Sequence, residues 1–210
     1  MIACVVFYND INETLLMDLS TKVDTIIAVD GAYKDFPHVK PFSTDGSIET
    51  AKKYATVVET DKAWETQVDK RNAYLDLVPE GESFIVIDTD EKLLSRPKDG
   101  NWKVEIWSMT PGGVNYFMPR VHVKTPGLRY YKTHMTMKDD NGLINTEQFE
   151  KSDAVIEHYL DRDEQRLKDK EIYRKKHNER ELKDRENLVN EMRGQGSQEH
   201  RYEWKDISSH

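Results

Sequence analysis

The sequence predicts an α/β fold, a largely parallel sheet covered by helices, and three observations predict it. Apolar runs of strand length recur at 2–8, 23–29 and 84–87. Runs without polar alternation belong to strands buried on both faces. Helical spacings fall between them, so the chain reads strand, helix, strand, helix, strand. The last run leads straight into Asp88-Thr89-Asp90-Glu91. That places an acid cluster at the carboxyl end of a strand, where open α/β sheets hold their ligands.

Each element follows in chain order. Residues 2–8 (IACVVFY) form the first strand, with Cys4 as a small core residue. Asn12 or Asp10 caps a helix over 13–19. Residues 23–29 form the second strand, closed by Asp30-Gly31. Pro37 and Pro41 mark a loop, after which Ser47 caps a helix whose face carries Ile48, Ala51, Tyr54 and Ala55. Residues 55–59 are a short strand. A helix over 64–78, with Val68, Ala73, Leu75 and Leu77 among its apolar positions, stops at Pro79-Glu80-Gly81.

From Trp102 the pattern alternates, over 104–107, 114–123 and 128–131, punctuated by Pro111-Gly112-Gly113 and Pro126-Gly127. These segments are expected as antiparallel strands on the far side of the sheet. Residues 147 to about 192 read as a long charged helix or helix pair, with Val155, Ile156, Tyr159, Leu160, Leu167 and Tyr173 as its packable stripe. Past Gly194 the composition suits a flexible tail. The expected division is 1–146 for the main domain, 147–193 for the helical extension and 194–210 for the tail.

Composition limits the function classes. A net charge of −8 weighs against a general nucleic-acid binder. The single cysteine excludes an internal disulfide. No stretch approaches the ~18 apolar residues of a membrane span, and no signal peptide is apparent at the N-terminus. The expectation is a cytoplasmic protein with no membrane span.

Two acids two apart on a strand point the same way. Asp88 and Asp90 are therefore expected to converge on one divalent cation, which keeps positions open for substrate phosphates. The plain alternative is a solvated turn. Asp30 ends its strand on the same sheet edge, where a carboxylate accepts hydrogen bonds from a base N–H or a ribose hydroxyl. Asp30-Gly31 and Asp45-Gly46 also read as simple turns. Lys70 and Arg71 are either a solvated helix face or a cationic wall toward a diphosphate. His158 opens a His-Tyr-Leu-Asp-Arg run, with Arg162 and Arg166 after it at helical spacing. That face is either solvated or closes over a diphosphate. Trp107 is the best candidate to stack on an acceptor sugar.

Taken together, Val29-Asp30-Gly31, Ser43-Thr44-Asp45-Gly46-Ser47, Gln67 with Lys70-Arg71-Asn72, and Asp88-Thr89-Asp90-Glu91 resemble a family 2 type glycosyltransferase of the GT-A fold. The resemblance covers about residues 1–135. Pro119-Arg120-Val121-His122, Pro126-Gly127-Leu128-Arg129-Tyr130 and His134 are similar to a later segment of that family. The resemblance implies a metal-dependent enzyme that moves a sugar from a nucleoside diphosphate sugar, UDP- or GDP-linked, to an acceptor hydroxyl with inversion. It implies that Asp30 and Asp45 contact base and ribose, and that Lys70 and Arg71 lie near base or diphosphate. It implies Asp88, Asp90 and His134 as ligands of Mn²⁺ or Mg²⁺. Two departures stand out. The first strand runs into Tyr8-Asn9-Asp10 where an Arg-Asn-Glu type turn is usual. Met135 follows His134 where an acid is usual, which leaves Glu91, Asp90, Glu105, Asp139 and Asp140 as candidates for the catalytic acid or base. The alternatives are a nucleotidyltransferase-like enzyme, which would want a Gly-rich loop after the first strand, and a non-catalytic protein of the same fold.

Overall fold

The computed structural model describes residues 1–34, 36–159, 168–169 and 171–173. The continuous apolar runs become the parallel half of an eight-stranded mixed sheet. β1 (Ile2–Phe7), β2 (Thr25–Asp30), β3 (Thr56–Val58) and β4 (Ser83–Ile87) stand in the order β3-β2-β1-β4, all parallel. Successive side chains leave a strand on opposite faces. Ala3, Val5 and Phe7 therefore join one core with Leu16, Ile26 and Ile85, while Cys4 joins a second with Ile27, Tyr74 and Phe84.

Three helices connect these strands. Asn12 caps α1 (Glu13–Ser20) by accepting from Thr14 N. α2 (Ser47–Lys52) is entered through Gly46 at φ +89°, a left-handed backbone that glycine adopts without a Cβ penalty. Asp45 Oδ1 there accepts from Ser47 N at 3.0 Å. Thr66 caps α3 (Gln67–Leu75) by accepting from Asp69 N.

The antiparallel half continues the sheet beyond β4. Its order is β7 (Tyr116–Val123), β6 (Trp102–Ser108), β11 (Glu150–His158) and β5 (Glu91–Leu93). β7 runs antiparallel to both β4 and β6, β11 parallel to β6, and β5 antiparallel to β11. A separate three-stranded sheet of β8 (Arg129–Tyr131), β9 (Thr133–Asp139) and β10 (Gly142–Leu143) packs on α3. Tyr74 meets Tyr130 there, edge to face.

The expected C-terminal helix is overturned at its start, the cap of α2 is Gly46 and not Ser47, and the helix expected over 64–78 is confined to Gln67–Leu75. Residues 150–158 are a strand, not the opening of a helix. Ala154 and Ile156 are fully buried at two-residue spacing, and β6 offers them an edge to pair with. Burial against that edge selects period two over the helical spacing of the same apolar residues. Leu160 and Leu167 of the expected stripe lie outside the described residues, as does the 194–210 tail. Tyr173 is described and stacks on Tyr33 at 5.6 Å.

The turn after β4 bends the whole sheet. β4 is fourth in the sheet and β5 is eighth, yet only Asp88, Thr89 and Asp90 join them. Four strand spacings of ~4.8 Å make ~19 Å across a flat sheet, beyond the ~14 Å that so short a link spans. The sheet curls until its far edge meets the end of β4. The acid cluster lies on that seam.

Candidate functional site

The site is assembled from the carboxyl ends of β1, β2 and β4. The chain runs outward through strands on both sides of β1, the point at which a parallel sheet opens a crevice for a ligand. The loops on the two sides are tied together, because Thr89 Oγ1 donates to Asp10 Oδ2 at 2.8 Å. Asp10 Oδ1 also accepts from Tyr8 N at 2.7 Å.

Asp88 and Asp90 part company here. β4 ends at Ile87, and Glu91 N donates to Asp88 O at 3.0 Å, so the segment is a turn. The two-residue alternation of a strand does not extend into it, and the convergence it promised is not formed. Asp88 faces arginines: Arg71 Nη2 donates to Oδ1 at 3.0 Å, and Arg120 Nη1 and Nη2 approach Oδ2 at 3.4 and 3.3 Å. Burial raises the Asp88 carboxyl, but Arg120 and Arg71 outweigh it and hold the group well below the usual carboxylate range. The charge of His134, on β9, adds to that lowering.

Asp90 turns the other way. Its Oδ2 lies 3.6 Å from His158 Nε2, and its carbonyl accepts from Tyr159 N at 2.8 Å. The Asp90 carboxylate raises the His158 imidazole above its ordinary value. β11 makes this meeting possible, because His158 is the register partner of Glu91. The sequence puts His158 on a helix face that is either solvated or closes over a diphosphate, and does not pair it with Asp90. The period-two burial of Ala154 and Ile156 that puts it on a strand appears only once β6 offers its edge, so no local signal could have found it.

Glu91 is 3% exposed. One of its oxygens makes a short ion pair with Arg120, and the other accepts from Asp88 N at 2.9 Å. Burial pushes its carboxyl up to about 7 against the pull of Arg120. A general base must come within hydrogen-bond reach of the proton it takes, and Glu91 is instead turned into the protein.

The other sequence candidates are placed as follows. Asp30 is fully buried, with Ser43 N and Oγ donating to its carboxylate at 3.0 and 2.6 Å. Asp45 is exposed at the start of α2. Lys70 is 2% exposed, not a solvated helix face. Its Nζ donates to Phe7 O at 2.6 Å and Gly31 O at 2.5 Å, bridging the ends of β1 and β2, and stands 5.2 Å from the Tyr33 ring centroid. Burial lowers it to about 7. Glu105 and Trp107 lie on the face of β6 opposite the buried Ile106. Asp139 accepts from Thr125 Oγ1 and Asn141 N in the second sheet, beside Asp140. Arg162 and Arg166 lie outside the described residues.

Arg120 and Tyr116 are site residues that were not assigned a role from sequence. Tyr116 pairs with Ile106 at the start of β7 and is 42% exposed. Burial and the charges of Glu91, Asp88 and Asp90 raise its phenol, against Arg120. It therefore lies within electrostatic range of the acid cluster.

Among the described residues, no group of three or more His, Cys, Asp or Glu side chains stands arranged to hold a metal ion. The carboxylate of Asp90 and the imidazole of His158 are a two-donor set. Mg²⁺ is usually bound through one or two carboxylates plus waters and substrate phosphates rather than by a full protein cage. A cation brought in with a diphosphate would find one such carboxylate in Asp90, with His158 as a second donor once its imidazole is neutral. Asp88, held by two arginines, is not disposed to be its ligand. Also among the described residues, no helix is long and apolar enough to cross a membrane. No protein-family model matches the chain, and no curated protein matches it either.

Proposed function

We propose that the protein is a metal-dependent glycosyltransferase of the GT-A type, moving a sugar from a nucleoside diphosphate sugar to an acceptor hydroxyl. One observation carries the reading: the Asp88–Glu91 turn sits at the carboxyl end of β4, beside the strand-order reversal at β1, with Asp90 against His158 and Asp88 against Arg71 and Arg120. That is an anion- and cation-binding edge in the position where α/β sheets take nucleotides. The motif resemblance over residues 1–135 supports the same reading, and inversion rests on that resemblance alone.

In this reading Asp90 and His158 hold a Mn²⁺ or Mg²⁺ ion. The bound ion would neutralise the diphosphate as it departs. The chain's own residues do the remaining work. Arg71 and Arg120 fix Asp88, whose Oδ1 accepts from Arg71 alone and retains a lone pair to accept a ribose hydroxyl. Lys70 and Ser43 brace the β1 and β2 ends that carry the base-side loops. Tyr116 lines the side from which an acceptor approaches.

The test is thermal unfolding with UDP, GDP, CDP and TDP, each with and without Mn²⁺. A ligand at about 100 times its dissociation constant adds about 2.7 kcal/mol of stability. The expected result is a shift for one nucleotide that requires Mn²⁺ and vanishes in Asp90→Ala. No shift with any nucleotide would move the non-catalytic reading to the front.

A further inference from the structure

Glu91, Arg120, Asp88 and Arg71 form one continuous charge network on the seam of the curled sheet. Glu91 holds Arg120 by a short ion pair, Arg120 holds Asp88 Oδ2, and Arg71 holds Asp88 Oδ1. Glu91 also accepts from the backbone N of Asp88, so it grips that residue twice, once directly and once through Arg120. Three members are buried: Glu91 is 3%, Arg120 7% and Arg71 8% exposed. Only Asp88 opens to solvent, with a third of its side chain accessible.

The arrangement has a structural cost. The Nε–H groups of both arginines are buried without a partner among the described residues. Arg120 has given both terminal nitrogens to Asp88 and Glu91, Arg71 has given Nη2 to Asp88, and each leaves its inner N–H unsatisfied. Buried charge networks of this kind are poor sources of net stability, since desolvation offsets the attraction. Unsatisfied buried groups are uncommon enough to call for a specific reason. The reason lies at the one solvated end. The network delivers a single carboxylate, fixed in rotation at both oxygens, to the crevice.

We propose that Glu91 is a positioning residue: acting through Arg120, it fixes the Asp88 carboxylate for contact with the sugar nucleotide and keeps it off the cation, which is left to Asp90 and His158. This inference rests on the glycosyltransferase reading above. It assigns Glu91 a role in donor binding and removes it from the candidates for the base. A carboxylate set by two arginines is ready to accept ribose hydroxyls without reorganising, and preorganisation of this kind appears as affinity.

The experiment is a double-mutant cycle on the full chain, read as nucleotide affinity by calorimetric titration. The probe is whichever of UDP, GDP, CDP or TDP shifts the wild type with MnCl₂. Glu91→Gln keeps the side chain's shape while removing its charge. It is expected to weaken nucleotide binding about tenfold, roughly 1.4 kcal/mol. Asp88→Asn is expected to weaken it by at least as much. The double variant should bind no more weakly than Asp88→Asn alone, because the role of Glu91 runs through Asp88. A merely structural Glu91 would lower unfolding stability in both backgrounds and leave the cycle additive. Wild-type affinity in Glu91→Gln, or a tenfold loss that persists in the Asp88→Asn background, overturns the inference. A wild type that binds none of the four nucleotides overturns the donor-site reading instead. Should Glu91→Gln lose its far-ultraviolet circular dichroism, Arg120→Lys takes its place in the same cycle, with the same expected non-additivity.

Discussion

The parallel and antiparallel halves of the sheet meet at β4 and β7, and they divide the site between them. The parallel half, β3-β2-β1-β4, is a scaffold of continuous apolar strands whose carboxyl ends supply loops, Asp30 and the acid turn, with Lys70 of α3 reaching across the ends of β1 and β2. The antiparallel half supplies what those loops meet: Arg120 from β7, Glu91 from β5 and His158 from β11. Neither half holds the charge cluster by itself. A charge cluster that would be one-sided in an open parallel sheet becomes two-sided because the sheet curls.

The largest expected effect tests whether the second half belongs to the same folding unit. Ile85 on β4 and Ile156 on β11 are both fully buried in one core. Ile85→Ala and Ile156→Ala should each cost about 2–5 kcal/mol, as cavities in a packed interior do. Denaturant midpoints measured for both variants decide it. A cost near zero for Ile156→Ala alone would return residues 147 onward to the status of an appendage.

Next in size is the charge seam. Arg120→Met removes the cation between Asp88 and Glu91 and leaves two buried or half-buried acids facing one another. Breaking a buried pair by removing one partner costs about 3–5 kcal/mol. Thermal unfolding should show the loss, and a second substitution, Glu91→Gln, should recover part of it. If Arg120→Met unfolds like the wild type, the network does not bear on the junction of the halves.

A third test reads the joint by pH. His122 on β7 is the register partner of Phe84 on β4, stacks on its ring at 5.4 Å and is 4% exposed. Burial lowers its imidazole from the ordinary 6.5 to about 4. The folded state therefore refuses a proton that the unfolded chain accepts between pH 6.5 and 4. Stability linked to this group is intact above pH 6.5 and falls as pH drops through that window, by up to about 3 kcal/mol at its lower end. His122→Phe keeps the ring and removes the titration. The stability of the variant relative to wild type should rise as pH falls from 6.5 to 4. A flat difference would mean that the seam admits the proton.

How much of this was legible follows the same division. β1, β2 and β4 are written as unbroken apolar runs, and the start of α1 follows from Asn12; the helix read over 64–78 forms only over Gln67–Leu75, behind the Thr66 cap. The antiparallel strands around 102–123 showed their alternation. β5 has only three residues, and β11 presents two fully buried side chains amid acids and lysines, at spacings that a helix also accommodates. Those strands exist because partners distant in sequence offer edges, information no local window carries. The acid cluster was legible as a location, and its geometry was not. Whether Asp88 and Asp90 converge depends on where β4 stops, and it stops at Ile87 because the chain must turn toward β5.

His158→Ala should weaken Mn²⁺-dependent nucleotide binding about 10- to 100-fold, on the order of 1.4–2.7 kcal/mol, while leaving metal-free binding and stability nearly unchanged. His134→Ala tests the other imidazole expected from the motif. A Mn²⁺-dependent loss confined to His134→Ala would set the second sheet, not β11, opposite Asp90.

The smallest expected effect concerns Trp107, whose exposed indole was the sequence's best acceptor candidate. Alternation along β6 sends Trp107 to the face opposite Ile106, while Tyr116, the register partner of Ile106, lies within electrostatic range of the acids. Trp107→Ala should change stability by no more than about 0.5 kcal/mol, as surface substitutions do, and should leave nucleotide affinity within twofold. A larger loss of nucleotide affinity would mean that the crevice reaches round the β6 edge to that face, against the alternation of the strand. The neutral result leaves the nucleotide crevice on the Ile106 and Tyr116 side of the sheet, as the alternation of β6 and its register with β7 require.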